Sequence, residues 1–373
     1  MVTCDTQSGE AAVHSAMCGR KVLLIADDLT GACDAAGAFA SHGVCSTVVF
    51  DPADVASQDA AQVVAFSTET RDTTATEMKS AIRNALTSAT ESMLLFKKID
   101  SVFRGNTFHE IAEIAKLAQG KVILIAPAFP AHGRTCRNGV VRFELNGVTQ
   151  EILVADGLRS QGLQVVSLAA SDESGSLQHT VHSYLSEPSS IFLADAETDA
   201  EMQRVVEAFS GMGAAVVWIG SAGLAYALAH AVRESQEQLV ITRTGLIIFC
   251  IGSDHPATRS QIDTLLLEDA EAHVLPLPRG VAGVEDVQAF FTAFEPLQLG
   301  CVVMTGGDTA SLVCRALGVT AIDIAGELSP GVPCGVLRGG PLDGVNVVLK
   351  SGGFGTPQLF LEIANKFERN ELN

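Results

Sequence analysis

The chain has 373 residues, 47% hydrophobic and 18% charged, so a large core is available and wholesale disorder is excluded. At about 150 residues per domain, this length suits two domains better than one. Lys and Arg total 24 against 43 Asp and Glu, a formal net charge of −19 with only 5% aromatics. That argues against nucleic acid or membrane as partner but leaves room for a small anionic ligand held by local basic residues.

Residues 1–19 carry Asp5 and Glu10 and lack an apolar h-region, so they read as a loose, disordered tail rather than a secretory signal. The first predicted strand, Lys21–Ala26, runs into Asp27-Asp28-Leu29-Thr30-Gly31. Two adjacent carboxylates leaving a strand point in different directions. One can cap the following helix, and the other can bind a hydroxyl or a metal. Strands Thr47–Phe50 and Val63–Ser67 follow, and the second leads to Thr70-Arg71. Thr74-x-x-Glu77 reads as a capping box in a helix over 73–87. Arg71 is not needed for that cap and suits bidentate recognition of a carboxylate or phosphate.

Strand Leu94–Ile99 leads through Lys97, Lys98, Asp100 and Arg104 to Gly105, a mixed-charge segment fit for an acidic, hydroxylated ligand. Thr107-x-x-Glu110 reads as a second capping box, opening a helix over Thr107–Leu117. Strand Val122–Ala126 ends in Pro127-Ala128-Phe129-Pro130 and His132-Gly133-Arg134, either a ligand loop or a rigid turn. Asn146-Gly147 within Val141–Gln150 is the best hairpin signal of the chain. Strands Val165–Leu168, Ile191–Ala194 and Ala215–Ile219 then alternate with helices Ala200–Phe209 and Ala222–Val232. Gly220-Ser221-Ala222-Gly223 at the last of these strands either binds an anion or permits close packing. The isolated pair His179 and His182 gives little support for a metal. Polar Glu234–Arg243 is the candidate linker, with a boundary near 238.

Four more strands are expected over Leu246–Ile251, His273–Leu277, Val302–Thr305 and Val345–Lys350. Three of them exit into glycine-bearing turns that precede helices: Gly252-Ser253 before Pro256, Gly306-Gly307-Asp308-Thr309 before Ala310–Leu317, and Ser351-Gly352-Gly353 before Pro357–Phe367, with Thr356 as its cap. One such turn is a weak signal. Three in one domain fit a shared phosphate-bearing ligand.

Continuous apolar strands alternating with helices indicate two α/β domains with largely parallel sheets and an active site in the cleft between them, over 20–237 and 238–373. No apolar run approaches the ~18 residues of a membrane span. Nine cysteines without a C-x-x-C fit a reducing cytoplasm. P-loop, dinucleotide-fingerprint, protein-kinase and nucleophile-elbow motifs are absent from the sequence. A kinase or ligase fits, with a non-catalytic sensor as the alternative from another class, one that the resemblance below would make a sugar-acid or nucleotide sensor.

In order and spacing these motifs resemble the four-carbon acid sugar kinase family. The matching segments are Ala26–Gly31, Thr70-Arg71, Lys98–Ser101 with Arg104-Gly105, Ala126–Pro130 with Gly133–Thr135, Gly220–Gly223, Gly252-Ser253, Gly306–Thr309 and Lys350–Gly355, within residues 20–365. The family commonly has Thr-Leu where this chain has Val102-Phe103. The resemblance implies ATP- and Mg²⁺-dependent phosphorylation of the terminal hydroxyl of a threonate, erythronate or 3-oxo-tetronate, giving the 4-phosphate. Asp27, Asp28, Arg71, Lys98, Asp100 and Arg104 would then surround the acid. Ser253, Gly306, Gly307, Asp308, Thr309, Gly352 and Gly353 would hold ATP, and Asp308 and Asp28 are the candidates to orient or deprotonate the hydroxyl. Metal ligands stay unknown, and a homodimer stays open as the assembly.

Overall fold

The structure, a computed structural model, describes residues 17–145, 147–169, 174–184, 190–233 and 239–368. Its strands are β1 (Val22–Ala26), β2 (Ser46–Val49), β3 (Val63–Ser67), β4 (Leu94–Lys98), β5 (Val122–Ala126), β6 (Thr135–Arg137), β7 (Val140–Leu145), β8 (Val148–Leu153), β9 (Val166–Ala169), β10 (Ile191–Asp195), β11 (Val216–Gly220), β12 (Leu246–Ile251), β13 (His273–Pro276), β14 (Leu299–Thr305), β15 (Ala321–Ser329), β16 (Val332–Arg338) and β17 (Asn346–Lys350). Its α-helices are α1 (Leu29–Ser41), α2 (Ala75–Thr87), α3 (Thr107–Leu117), α4 (Val154–Ser160), α5 (Ser174–Tyr184), α6 (Asp199–Ser210), α7 (Ala222–Val232), α8 (Pro256–Glu268), α9 (Val284–Phe291), α10 (Gly307–Ala316) and α11 (Leu359–Glu368).

The chain packs as two units. The first takes residues 1–27, 42–44 and 68–236, and the second takes 28–41, 45–67 and 237–373. In the first unit six strands lie in the order β1-β4-β11-β5-β10-β9, every pair parallel. β1 is Val-Leu-Leu-Ile-Ala and wholly buried, as a strand covered on both faces must be. Phe192, Phe209 and Trp218 stack edge to face in this core. β6, β7 and β8 form a separate antiparallel sheet, with the expected hairpin between β7 and β8. Its Asn146 lies outside the described residues.

In the second unit the order is β13-β12-β14-β17-β16-β15-β2-β3. β13, β12, β14 and β17 are mutually parallel, whereas β17-β16-β15-β2 run antiparallel. Phe249, Phe360, Phe367 and Val303 anchor the core beneath the parallel part.

A contiguous boundary near 238 does not anticipate this partition. Residues 28–41 and 45–67 join the second unit because β2 is bonded antiparallel to β15 and α1 packs on β15. Residues 1–16 and 234–238, which hold most of the expected tail and the start of the expected linker, lie outside the described residues. Met17 is buried and the Gly19 N–H bonds to the Val232 carbonyl, so these two are not loose. The sequence reading missed β15 and β16. A register shift at Ile324/Gly326 interrupts the side-chain alternation that marks a strand. α11 begins at Leu359, so Thr356 and Pro357 stand in the preceding turn rather than as cap and first residue.

Candidate active site

β1 and β4 are parallel neighbours, so their C-terminal ends open side by side. Asp27 follows β1 with a 1% exposed side chain. Arg71 grips it with two donors: Nε to Oδ2 at 2.8 Å and Nη2 to Oδ1 at 3.1 Å. The Arg71 Nη2 also stands 3.6 Å from Oδ2 of Asp100. Asp100 accepts the backbone N–H of Val102 at 3.0 Å and of Arg104 at 3.2 Å, and the Arg104 Nε at 2.9 Å. Burial works to raise the Asp100 pKa, but the Arg104 hydrogen bond and charge, with Arg71 beyond, win and hold it well below the usual carboxylate range. The result is a row of alternating charge, Asp27–Arg71–Asp100–Arg104, whose last member is 64% exposed.

The backbone beneath this row is tied down. Gly105 has φ +64°, and a Cβ there would meet the Arg71 carbonyl oxygen at 2.1 Å, so only glycine lets the two loops touch. Asn106 donates its N–H to that same carbonyl and its Nδ2 to the carbonyls of Thr70 and Thr73. Glu110 takes the Thr70 hydroxyl on one oxygen and the buried Lys97 Nζ, at 2.9 Å, on the other. This corrects the expected second capping box: α3 is preceded by Asn106 without a side-chain cap, and Glu110 is committed inward. The Thr74/Glu77 capping box does form. Lys98 is buried with Nζ on the Ile99 carbonyl at 3.1 Å.

Asp28 goes elsewhere. Its Oδ1 accepts the Gly31 N–H at 2.7 Å and its Oδ2 the Thr30 hydroxyl at 2.9 Å, so it caps α1 in the second unit. Gly220–Gly223 serves packing. Ser221 caps α7 and donates to the Ala128 carbonyl, and a Cβ on Gly220 or Gly223 would collide with the carbonyls of Ala126 or Ala128.

In the second unit the three glycine-bearing exits belong to adjacent strands β12, β14 and β17. The chain runs from β12 to β13 on one side and then to β14 on the other, which makes the β12/β14 border a topological switch point. A Cβ on Gly252 would meet Thr309 Oγ1 at 1.9 Å and the Leu277 carbonyl at 2.8 Å. A Cβ on Gly352 would meet Ser253 Oγ at 2.1 Å, so the first and third turns touch. Gly306, with φ +92°, opens α10 with no side-chain cap hydrogen bond, and the positive end of the helix dipole lies at this turn. A Cβ on Gly307 would meet Asp28 Oδ2 at 3.0 Å, so Asp28 lies against this turn. Asp308, in the first turn of α10, is 64% exposed and receives Arg279 Nε at 2.8 Å.

Two polar residues here were given no role by the sequence reading, which has Lys350 only as the end of a strand and within the matching segment Lys350–Gly355. Lys350 is wholly buried at the end of β17 and donates to Thr258 Oγ1 at 2.9 Å and to the Gly352 carbonyl at 3.0 Å. Arg279 lies in a loop with no pattern to mark it. Among the described residues no three His, Cys, Asp or Glu side chains gather as a metal cage, and His179 and His182 are no exception.

The family profile of a sugar-binding N-terminal domain matches residues 22–228, more than half the chain, and that of a nucleotide-binding C-terminal domain matches 287–360. The chain belongs to the four-carbon acid sugar kinase family. Its relatives in this kinase family include a D-threonate kinase of Bordetella bronchiseptica, 28% identical over 93% of this chain and 98% of that one. A D-threonate kinase of Salmonella typhimurium is 26% identical over 90% of this chain and 96% of its own. A 3-oxo-tetronate kinase of Pseudomonas fluorescens is 26% identical over 90% and 94%. Among solved structures, a Salmonella typhimurium LT2 protein shares the fold with a TM-score of 0.73 at 20% identity, covering 93% of this chain and 100% of its own. Haemophilus influenzae protein HI1011 does so with a TM-score of 0.64 at 17% identity over 93% and 100%. No helix among the described residues is long and apolar enough to cross a membrane.

Proposed function

We propose that this kinase transfers the γ-phosphoryl group of ATP to the terminal hydroxyl of a four-carbon sugar acid, a threonate, erythronate or 3-oxo-tetronate, giving the 4-phosphate. The observation that carries the reading is the set of three glycine turns on adjacent strands, two of them packed together and one opening an uncapped helix. Backbone N–H groups and a helix dipole in that arrangement suit a chain of phosphates.

The acid binds in the first unit. Arg71 is already engaged by Asp27, and that grip fixes its guanidinium in one orientation. Arg104, anchored at one edge by Asp100 and largely exposed, is the arginine that meets the substrate carboxylate. Asp27 and Asp100 thus act by holding arginines, and Lys98 adds positive charge beneath them.

In the second unit Ser253, Gly306, Gly307, Thr309, Gly352 and Gly353 hold the nucleotide. Asp28 has both oxygens occupied by the α1 cap, so Asp308 is the carboxylate that orients the attacking hydroxyl. Phosphoryl transfer needs little more than in-line positioning and neutralised phosphate charge. Mg²⁺ bound mainly by phosphates and water requires only one or two carboxylates, and Asp308 in the first turn of α10 would meet that need. The ion would neutralise phosphate charge there.

The test is ATP consumption with Mg²⁺ against D- and L-threonate, D- and L-erythronate, their 3-oxo forms and the matching neutral sugars. Turnover with one acid and none with its neutral analogue is expected. ATP binding without turnover on any acid would refute the substrate class and favour a sensor.

A further inference from the structure

Lys350 is an ionisable group that the site described so far does not use. It is the last residue of β17, its side chain is fully buried, and it lies beneath the third glycine turn. Its Nζ donates to the Thr258 hydroxyl at 2.9 Å and to the Gly352 carbonyl at 3.0 Å, and it sits 5.7 Å from the centre of the Phe360 ring. The Thr258 hydroxyl in turn donates to the Gly352 carbonyl at 2.8 Å. Both residues therefore converge on one carbonyl of the turn. Thr258 is buried in the first helical turns after Gly252-Ser253, so the triangle links the exit of β12 to the exit of β17. Among the described residues no acidic side chain lies within ion-pairing distance of Lys350, and burying a charge without a counter-ion is costly. A turn that receives a phosphate-bearing ligand is where such a charge is compensated.

We propose that Lys350 is a positioning residue for nucleotide binding: through Thr258 and the Gly352 carbonyl it sets the Ser351–Gly353 turn and adds positive charge beneath it for a phosphate-bearing ligand. This rests on the assignment of the second unit to ATP. It predicts that changes at Lys350 act on the nucleotide and leave the acid alone, because Thr258, Gly352 and Phe360, which it contacts, all belong to the second unit.

The experiment begins with ATP binding by the wild-type full chain, followed by titration calorimetry and two-substrate kinetics of Lys350→Met, Thr258→Val and Thr258→Ser. Lys350→Met is expected to weaken ATP binding by about ten- to a hundredfold, the scale of a lost charge-assisted contact, with the KM for the acid changed less than about twofold. Thr258→Val should weaken ATP binding in the same direction by a smaller factor, and Thr258→Ser, which keeps the hydroxyl, should restore it. The serine rescue separates positioning from packing and decides the matter if Lys350→Met does not fold. Unchanged ATP affinity in folded Lys350→Met, or in Thr258→Val, would overturn the proposal while leaving the kinase reading intact. So would equal losses for ATP and acid. Failure of the wild-type chain to bind ATP would overturn both.

Discussion

Removing Arg71 should destabilise the first unit as well as disable it, and the two effects can be separated. The Asp27 carboxylate is 1% exposed and takes both a 2.8 Å and a 3.1 Å hydrogen bond from one guanidinium that is itself 19% exposed. Truncation to Arg71→Met leaves that carboxylate buried without its counter-ion, a change that typically costs about 3–5 kcal/mol. Asp27→Asn leaves the guanidinium its route to Asp100, 3.6 Å away, so a smaller loss of about 1–3 kcal/mol follows. The double variant Asp27→Asn/Arg71→Met should cost less than the sum of the two, by a coupling of about 1–3 kcal/mol. Urea unfolding of all four proteins, followed by Trp218 fluorescence in the first unit's core, supplies the cycle. Activity should stay low in the double variant even though the stability loss is sub-additive, because Arg71 is missing from the charged row that ends in Arg104. A cost below about 1 kcal/mol for Arg71→Met, with additive single changes, would mean the pair behaves as a solvated surface bridge, and the buried-clamp reasoning would be wrong.

Three further outcomes follow from the same geometry. Gly105→Ala should raise the KM for the acid while sparing the KM for ATP, since a Cβ there displaces the Arg71 backbone; two-substrate kinetics check it, and an unchanged acid KM refutes it. Asp100 has a folded-state pKa depressed below its ordinary 3.8, so its contribution to stability is full above that pH and is lost as pH falls further. The stability gap between wild type and Asp100→Asn should therefore shrink below about pH 4, read from urea midpoints. Burial lowers Lys350 from its ordinary 10.5 to about 7, so between these values the unfolded chain binds more protons than the folded one. Stability should rise with pH across that window by up to about 1.4 kcal/mol per unit from this group, and Lys350→Met should flatten the slope; parallel wild-type and variant curves would refute the assignment.

Much of this site is legible in the sequence because its logic is local. A strand that exits into glycine and then a helix declares itself within about eight residues, as Gly252-Ser253, Gly306-Gly307 and Ser351–Gly353 do. The Thr74/Glu77 box is equally local, and it forms. Thr107 and Glu110 show the same spacing, yet Glu110 is drawn inward by Lys97 and Thr70, partners that no spacing rule contains. β15 escaped notice because register shifts break the alternation that marks a half-buried strand, and β16 because Pro333 and Gly335 interrupt its apolar run.

The sequence by itself determined the α/β class, the places where the chain turns tightly, and a shortlist of charged residues at strand ends. It left open which of Asp27 and Asp28 caps a helix, because both sit at the same strand exit. Tertiary structure decided that Asp28 caps α1 and Asp27 grips Arg71, 44 residues away. It also gave residues 28–41 and 45–67 to the second unit, and joined Lys350 to Thr258 across 92 residues. The reason is physical. Backbone conformation and capping depend on neighbours within a turn or two, so they can be read along the chain. The partner of a buried charge is chosen by desolvation, which acts only once distant segments have closed around it.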